Sequence, residues 1–384
     1  MRFRSLTVLT FVVVLSISLP ISVTSFNSEM ADTITTVQAE SPSARFLPGM
    51  VYDPVNERVI LFGGGIGDDE LNDTWVFDYE TKIWTELTIP TSPTPRSSHV
   101  MVFDSDNEVI ILFGGYNGTS PAKDTWIFNC TSEIWTEVTP EISPPERMSH
   151  AMVYDSVNGK VILFSGYGVE GPEVGDTWGY DFSTNIWEEM NPTESPHARY
   201  GAAHVFDEAN ETMFIFGGNA NGHFSDTWSY DYSTDTWTEL SPTTHPLRLK
   251  WSSMAYDSVN QKSILFGGDI NYPVASNETW IYDSAVNEWT ESGTSVAPSM
   301  REAFGFAFDT ENEKAILFGG TKGTGRVRDT FNETWVFDYT SDTWTKIEPV
   351  IGDTPIPLDS LLILGTVALG AAVLIIVFAY FKKK

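Results

Sequence analysis

Residues 109–138 read VIILFGGYNGTSPAKDTWIFNCTSEIWTEV. An apolar run ends in Phe113-Gly114-Gly115, a polar connection follows, and Asp124-Thr125-Trp126 opens a second apolar run, with Trp135 nine residues beyond Trp126. These markers recur along the chain. Phe-Gly-Gly begins at Phe62, Phe113, Phe216, Phe266 and Phe318, with Phe164-Ser165-Gly166 as a degenerate copy, at intervals of 51, 51, 52, 50 and 52 residues. Asp/Glu-Thr-Trp places Trp75, Trp126, Trp178, Trp228, Trp280 and Trp335, and a partner follows each at Trp84, Trp135, Trp187, Trp237, Trp289 and Trp344. Of the 13 tryptophans only Trp251 stands outside the pattern. A repeat of about fifty residues built from strand-like segments is the signature of a propeller.

Each unit divides into four short segments, in the second copy 99–103, 109–113, 125–128 and 134–138, rich in β-branched and aromatic residues and bounded by Gly, Pro, Asp or Asn. No stretch of this body keeps a 3.6-residue apolar period, so no helix is predicted in it. Six blades of four antiparallel strands therefore occupy residues 41–348. Blade one already owns its first strand and blade six its last, so closure is predicted without strand exchange, and residues 34–37 are not expected to pair into blade six. Along the first strands an aromatic ladder (Tyr52, Phe103, Tyr154, Phe206, Tyr256, Phe308) alternates with a ladder of Met50, Met101, Met152, His204, Met254 and Phe306. A methionine ring could suggest a soft metal, but core packing accounts for it, since Met fills gaps between twisted sheets.

An Arg-x-x-His before the first strand (Arg96 and His99, Arg147 and His150), then Phe-Gly-Gly, Asp-Thr-Trp and a Trp nine residues on, resembles the kelch repeat over about three hundred residues. The fold class is thus an all-β, six-bladed kelch β-propeller, with one C-terminal transmembrane helix appended. A WD-repeat propeller would carry Trp-Asp pairs, and none occurs.

Charge narrows the partners. With 22 Lys+Arg against 52 Asp+Glu the chain carries a formal charge of −30. Five of the bases (Arg2, Arg4, Lys382, Lys383, Lys384) lie in the two terminal membrane segments, which hold no acid, so the rest of the chain is nearer 17 − 52 = −35. Such a field repels phosphate backbones, so no nucleic acid is expected as partner. The single Cys130 excludes intramolecular disulfides and multi-thiolate metal sites. No cofactor is expected.

The ends read as membrane signals. Residues 1–25 combine Arg2 and Arg4 with an apolar run and a small-residue site at Val23-Thr24-Ser25, a secretory signal peptide; the run is short for a membrane span, which is the alternative. Residues 26–40 form a linker. After a stalk at 349–360, residues 361–381 hold 21 uncharged residues followed by Lys382-Lys383-Lys384, a transmembrane helix with a cytoplasmic basic tail. A cleaved sorting tail has the same appearance. The expected location is the plasma membrane, single-pass type I, with a monomeric propeller outside the cell. Asn-x-Ser/Thr sequons at Asn72, Asn117, Asn129, Asn210, Asn277 and Asn332 are the candidate glycosylation sites there.

Antiparallel strands sort the connections onto two faces. First-to-second turns such as Asp53-Pro54-Val55-Asn56 and Asp257-Ser258-Val259-Asn260 repeat closely, as do the third-to-fourth turns; turn chemistry is preferred there over a calcium site, since no EF-hand-like ligand series appears. The other face varies. Between Gly-Gly (Ser-Gly in blade three) and Asp/Glu-Thr-Trp lie 8, 8, 9, 7, 9 and 12 residues, and the longest, 321–332, carries Lys322, Arg326 and Arg328. An arginine precedes each first strand on this side: Arg45, Arg96, Arg147, Arg199, Arg248 and Arg301. In several kelch domains equivalent arginines hold acidic peptides, so the resemblance implies an anion-reading pocket formed by these nine bases, and guanidinium forks suit carboxylates. The competing reading is that each arginine ties its blade to a neighbour, as six-fold repetition suggests.

The function expected is an interaction module that takes a protein or glycan ligand, acidic in character, on the variable-loop face. The alternative is an extracellular carbohydrate-active or oxidising enzyme, because kelch propellers include galactose oxidase-like enzymes and sialic-acid isomerases. No catalytic residue is identified for it: HExxH, Gly-x-Ser-x-Gly and phosphate-loop motifs are absent, the six His are scattered over different blades, and Cys130 falls on the face opposite the variable loops. Acids are too numerous for a carboxylate pair to be singled out.

Overall fold

A computed structural model describes residues 41–169, 175–271, 274–324 and 327–348, together with two strands near the C-terminus. The signal peptide (1–25), linker (26–40), stalk (349–360) and basic tail (382–384) lie outside the described residues, as does the segment 34–37.

Six four-stranded antiparallel sheets follow one another along the chain. The first contains Gly49–Asp53, Arg58–Ile66, Asp69–Asp78 and Ile83–Leu87; the sixth contains Gly305–Asp309, Lys314–Phe318, Thr334–Asp338 and Thr343–Ile347. In blade two the strands Val100–Asp104, Val109–Phe113, Thr125–Asn129 and Ile134–Val138 fall within a residue of the predicted bounds. Every sheet keeps the order of the chain, so each blade is a meander with its first strand innermost. The inner strands touch in ring order, and Gly305–Asp309 of blade six meets Gly49–Asp53 of blade one, closing the ring with no borrowed strand among the described residues.

Period-two alternation builds the core. In blade one, Val59 and Leu61 of the second strand face blade six, whereas Ile60 and Phe62 face blade two. The six hydrophobic clusters each join side chains of two adjacent blades, one cluster per junction. Met50, Met101, Met152 and Met254 are buried, each packed into a different inter-blade cluster.

The repeat motif now has a job for each residue. The second Trp of each blade packs on the preceding blade, Trp84 on Phe318 at 5.0 Å and Trp135 on Phe62 at 5.2 Å. Its indole also donates to the Thr of the preceding blade's Asp/Glu-Thr-Trp: Trp135 to Thr74 (3.2 Å), Trp344 to Thr279 (2.9 Å) and, across the closure, Trp84 to Thr334 (2.9 Å). The first Trp donates to the acid two residues before it, as Trp126 does to Asp124 at 2.7 Å. On the opposite face, Asp53 is saturated by its own turn, accepting from Val55 N, Asn56 N and Asn56 Nδ2, and this pattern recurs at Asp104, Asp155, Asp207, Asp257 and Asp309. That is turn chemistry.

Gly-Gly is required by close approach. At Gly114 (φ +62°) an added Cβ would lie 2.6 Å from the Arg147 carbonyl oxygen, and at Gly267 (φ +61°) 2.5 Å from that of Arg301. Blade three tolerates Ser165 at φ +59° because its hydroxyl bonds the crowding backbone, accepting from Arg199 N (2.7 Å) and donating to Arg199 O (2.8 Å).

The appended C-terminal transmembrane helix is not shown. Within 361–381 the described residues form two strands, Ile363–Leu369 and Ala372–Phe378, paired antiparallel from Ile363 with Phe378 to Leu369 with Ala372, where the apolar run predicts a transmembrane helix. Val367, Val373, Ile375, Ile376 and Val377 are β-branched, which favours the extended form. Among the described residues no helix is long and apolar enough to cross a membrane.

Ser165→Ala is expected to lower stability by about 2 kcal/mol, since the strained φ stays while two buried hydrogen bonds go. Urea denaturation monitored by tryptophan fluorescence measures it, and an unchanged midpoint would remove this account of the degenerate copy.

Candidate functional site

Five of the six candidate arginines are consumed by the fold. Arg45, Arg96, Arg147, Arg199 and Arg301 are fully or almost fully buried. Each guanidinium bonds its own blade: Arg96 Nη1 donates to Gly114 O (2.9 Å) and Asp124 Oδ1 (2.7 Å), Nη2 to Asp124 Oδ2 (2.6 Å), and Nε to Thr94 O (3.1 Å). Asp73, Asp176, Asp226 and Glu333 serve Arg45, Arg147, Arg199 and Arg301 in the same way. The Arg backbone meanwhile bonds the preceding blade, as when Gly64 N donates to Arg96 O and Arg96 N to Leu71 O. Each arginine is therefore an inter-blade clamp, and the expected anion-reading role is corrected for these five. Burial pushes the Asp124 and Asp226 carboxyls up, but the guanidinium bonds and charges outweigh it and hold both below the ordinary range; Glu333, bonded by Arg301, Lys346 and Trp335, is drawn down to about 2.

The sixth breaks register. Counting four residues back from each inner strand gives Arg45, Arg96, Arg147, Arg199, Leu249 and Arg301. In blade five the buried Leu249 holds the clamp position, its carbonyl accepting from Gly218 N, while Arg248 is exposed. The carboxylate of Glu278, the acid that would meet a clamp, accepts instead from the Trp280 indole, while its backbone bonds Ser276 Oγ and Gly267 N.

Of the sixth-blade bases, Lys322 lies on strand Thr321–Thr324, paired with Val327–Thr330, with its ammonium 5.6 Å from the Phe331 ring. Arg326 lies outside the described residues, and for Arg328 only the backbone is described. The variable-loop face is lopsided. Blades five, six and one raise hairpins (Asp269–Asn271 with Val274–Ala275, Thr321–Thr324 with Val327–Thr330, and the extended Arg58–Ile66 with Asp69–Asp78), whereas no such hairpin rises within the second-to-third connections of blades two, three and four among the described residues.

A ring of backbone hydrogen bonds narrows the channel on this face. Ser98 N donates to Leu47 O, Ser149 N to Ser98 O, Gly201 N to Ser149 O, Trp251 N to Gly201 O, Ala303 N to Trp251 O, and Leu47 N to Ala303 O, at 2.7–3.0 Å. All six residues have positive φ, between 49° and 64°. Below them opens a cavity of about 480 Å³, lined by the inner strands. Trp251, the tryptophan outside the repeat, lies at this mouth against Gly201, with Lys250 Nζ 4.2 Å from its ring. The buried His99 and His150 and the partly buried His204 also line the cavity, and His99 packs edge-on to Phe62 at 5.4 Å. Burial, aided by Arg96, lowers the His99 imidazole to about 3, and burial lowers His150 and His204 as well.

A second cavity of about 600 Å³ opens between blades four and five, lined by His197, Asn221, His223, Phe224, Asp226 and Arg248 among others. So five of the six His, scattered in sequence, gather at two places. Sequence reasoning missed this groove; the signal was the one-residue offset at Leu249. The six sequon asparagines Asn72, Asn117, Asn129, Asn210, Asn277 and Asn332 are all exposed, and Asn210 Nδ2 is held by Asp207. Cys130 is buried behind the opposite-face turn, its carbonyl accepting from Asn56 Nδ2 at 2.8 Å, and burial pushes its thiol up.

Comparison with known families agrees with the repeat. The model of the KLHDC2/KLHL20/DRC7 Kelch-repeats domain matches residues 21–195 and 156–375. The chain belongs to the Kelch-repeat family. Among similar kelch-bearing and other proteins are the flagellar outer-arm dynein alpha chain of Chlamydomonas reinhardtii (30% identical over 183 residues, 46% of this chain and 4% of that one) and Mei4-dependent protein 6 of Schizosaccharomyces pombe (25% over 193 residues, 44% and 28%). An F-box/kelch-repeat protein of Arabidopsis thaliana is 29% identical over 188 residues, 44% of this chain and 38% of that one. The matched part is thus well under half the length of each relative. Kelch propellers are in general protein-interaction modules.

Two outcomes test the site assignments. Arg96→Met is expected to cost about 3–5 kcal/mol by stranding Asp124, and Arg248→Met less than about 0.5 kcal/mol; similar losses in chemical denaturation would return Arg96 to the list of free ligand-binding bases. Separately, His99 stays neutral in the fold down to about pH 3, whereas an unfolded imidazole takes its proton near 6.5. The unfolded chain therefore binds more protons in that window, and stability should fall as pH drops through it, by about 1.4 kcal/mol per pH unit for each buried imidazole. Thermal melts that stay level from pH 7 to pH 5 would contradict this.

Proposed function

We propose that the propeller docks a partner protein on its variable-loop face, around the channel mouth and against the wall formed by the hairpins of blades five, six and one. The observation that carries this is the asymmetry between faces. Turns on one side repeat because they satisfy themselves, whereas connections on the other differ in length and form while the scaffold beneath them is constant. Binding surfaces concentrate in such loops on a rigid frame.

The rest of the reading concerns where the module works. A leader at 1–25 takes the propeller out of the cytoplasm, and the uncharged 361–381 segment, backed by Lys382-Lys383-Lys384, holds it to the plasma membrane as a single-pass monomer. An open two-stranded hairpin leaves edge amides unpaired in hydrocarbon, while a helix pairs them internally, so the segment adopts a helix on insertion. Outside the cell the six exposed sequons receive N-glycans. A ligand that is itself a glycan belongs to the same proposal only as an alternative occupant of the docking face.

Protease added to intact cells should remove the propeller and leave a small membrane-bound remnant, and endoglycosidase should shift the mobility of the full chain. Trimming residues 323–328 to a two-residue turn should lower recovery of the native partner from detergent extracts at least tenfold, while Asp106→Ser on the opposite face should not. Protection from the protease, or equal effects of the two changes, would overturn the reading.

A further inference from the structure

Six copies of one unit separate what the fold demands from what a single position adds. At the clamp position blade five alone has an apolar residue, and the guanidinium has moved one residue upstream, to Arg248. Arg45, Arg96, Arg147, Arg199 and Arg301 each make several buried hydrogen bonds; Arg248 makes no hydrogen bond, ion pair or ring contact with any described residue. It faces the cavity of about 600 Å³ between blades four and five.

The other charges at that groove are already matched. Asp226 is held by both Nη atoms of Arg199, at 2.6 and 2.8 Å. Asp269, almost fully buried beside the groove, has Lys250 Nζ at 3.3 Å and His223 Nε2 at 3.8 Å, and His223 Nδ1 donates to Ile270 O at 2.9 Å. What remains is the uncompensated positive charge of Arg248, on a propeller (residues 41–348) whose formal charge is near 17 − 47 = −30. Around it the cavity presents further donors: the His197 ring, the Asn221 amide and the Ser225 hydroxyl. One wall is rigid, because Phe224 lies parallel to His197 (centroids 6.3 Å apart) and against the Arg199 guanidinium (4.3 Å).

We propose that this groove is a subsite for a tetrahedral oxyanion ester, a phosphate or sulphate carried on a side chain of the partner protein. A guanidinium fork fits such an anion in bidentate fashion. The amide, hydroxyl and imidazole around it supply more donors than the two oxygens of a carboxylate accommodate, whereas a phosphoryl group presents three acceptor oxygens. A volume of this size also admits the side chain that bears the ester. Repulsion from the acidic remainder of the domain disfavours anions elsewhere, so the groove selects a position as well as a chemistry. This inference rests on the docking face proposed above and names the group that part of it reads.

The test uses the full chain in detergent, titrated with O-phosphotyrosine, O-sulphotyrosine and glutamate and followed by calorimetry, with phosphorus line width as a second readout for the phosphate ester. One of the esters should bind with millimolar or better affinity, weakened at least tenfold by Arg248→Gln and unaltered by Lys322→Gln; the tighter of the two identifies the ester. Glutamate binding as tightly as either ester, equal affinity in Arg248→Gln, or no binding of any probe would overturn the subsite. The docking face is judged apart from it: if the probes fail while trimming 323–328 still abolishes partner recovery, the oxyanion site falls and the face stands.

Discussion

The architecture depends on a circle of six amide bonds at the channel mouth, in which each blade donates to the one before it until Leu47 reaches Ala303. An amide can run tangentially from blade to blade only if the residue carrying it takes positive φ. Five of the six positions accept that conformation without being glycine, even as bulky a residue as Trp251. Left-handed backbone costs roughly 1–2 kcal/mol for a residue with a Cβ, and the circle offsets it with buried hydrogen bonds, each unmade one costing about 1–3 kcal/mol. Only six sheets in phase complete the circle. The clamps, the indole-to-threonine bonds and the six inter-blade cores are successive layers of the same closure, moving outward from the axis.

Seen from that constraint, the legibility of the chain has a physical cause. Phe-Gly-Gly and Asp/Glu-Thr-Trp could be read directly because each of their residues meets the same neighbour six times, so the repeat records the contact. Ser165 looked degenerate and is in fact compensated by its hydroxyl, which a pattern of residue types does not reveal. The arginines were visible as a series, but charge alone does not say whether a guanidinium faces solvent or a buried aspartate. Leu249 was hidden by its neighbour: Arg248 kept the count of arginines at six while the register had slipped by one. The groove between blades four and five was not legible, since His197, His223 and Phe224 converge only through the packing of successive units. At the C-terminus, length and lack of charge argue for a helix, while β-branching argues for the extended pairing found at Ile363–Leu369 and Ala372–Phe378.

The same reasoning separates scaffold from site. Buried histidines at the channel, methionines between sheets and aspartates in the turns are chemistry-bearing residues with structural occupations, and each would be a false lead if judged by type. Departures from six-fold repetition are the more informative feature, and they concentrate in blades four and five: Leu249, Trp251, the Lys250 and Asp269 pair, and the two histidines of the groove.

The indole-to-threonine bonds have a direction, and one of them is unlike the rest. Five span 60 to 65 residues, so each can form soon after its own blade emerges, but Trp84 waits for Thr334, 250 residues later. At synthesis rates of 5–20 residues per second that delay is roughly 10–50 s. Throughout it blade one presents an unsealed apolar flank, so the nascent chain must be shielded until its last sheet arrives, and a ribosome that stalls late releases an adhesive arc instead of a ring.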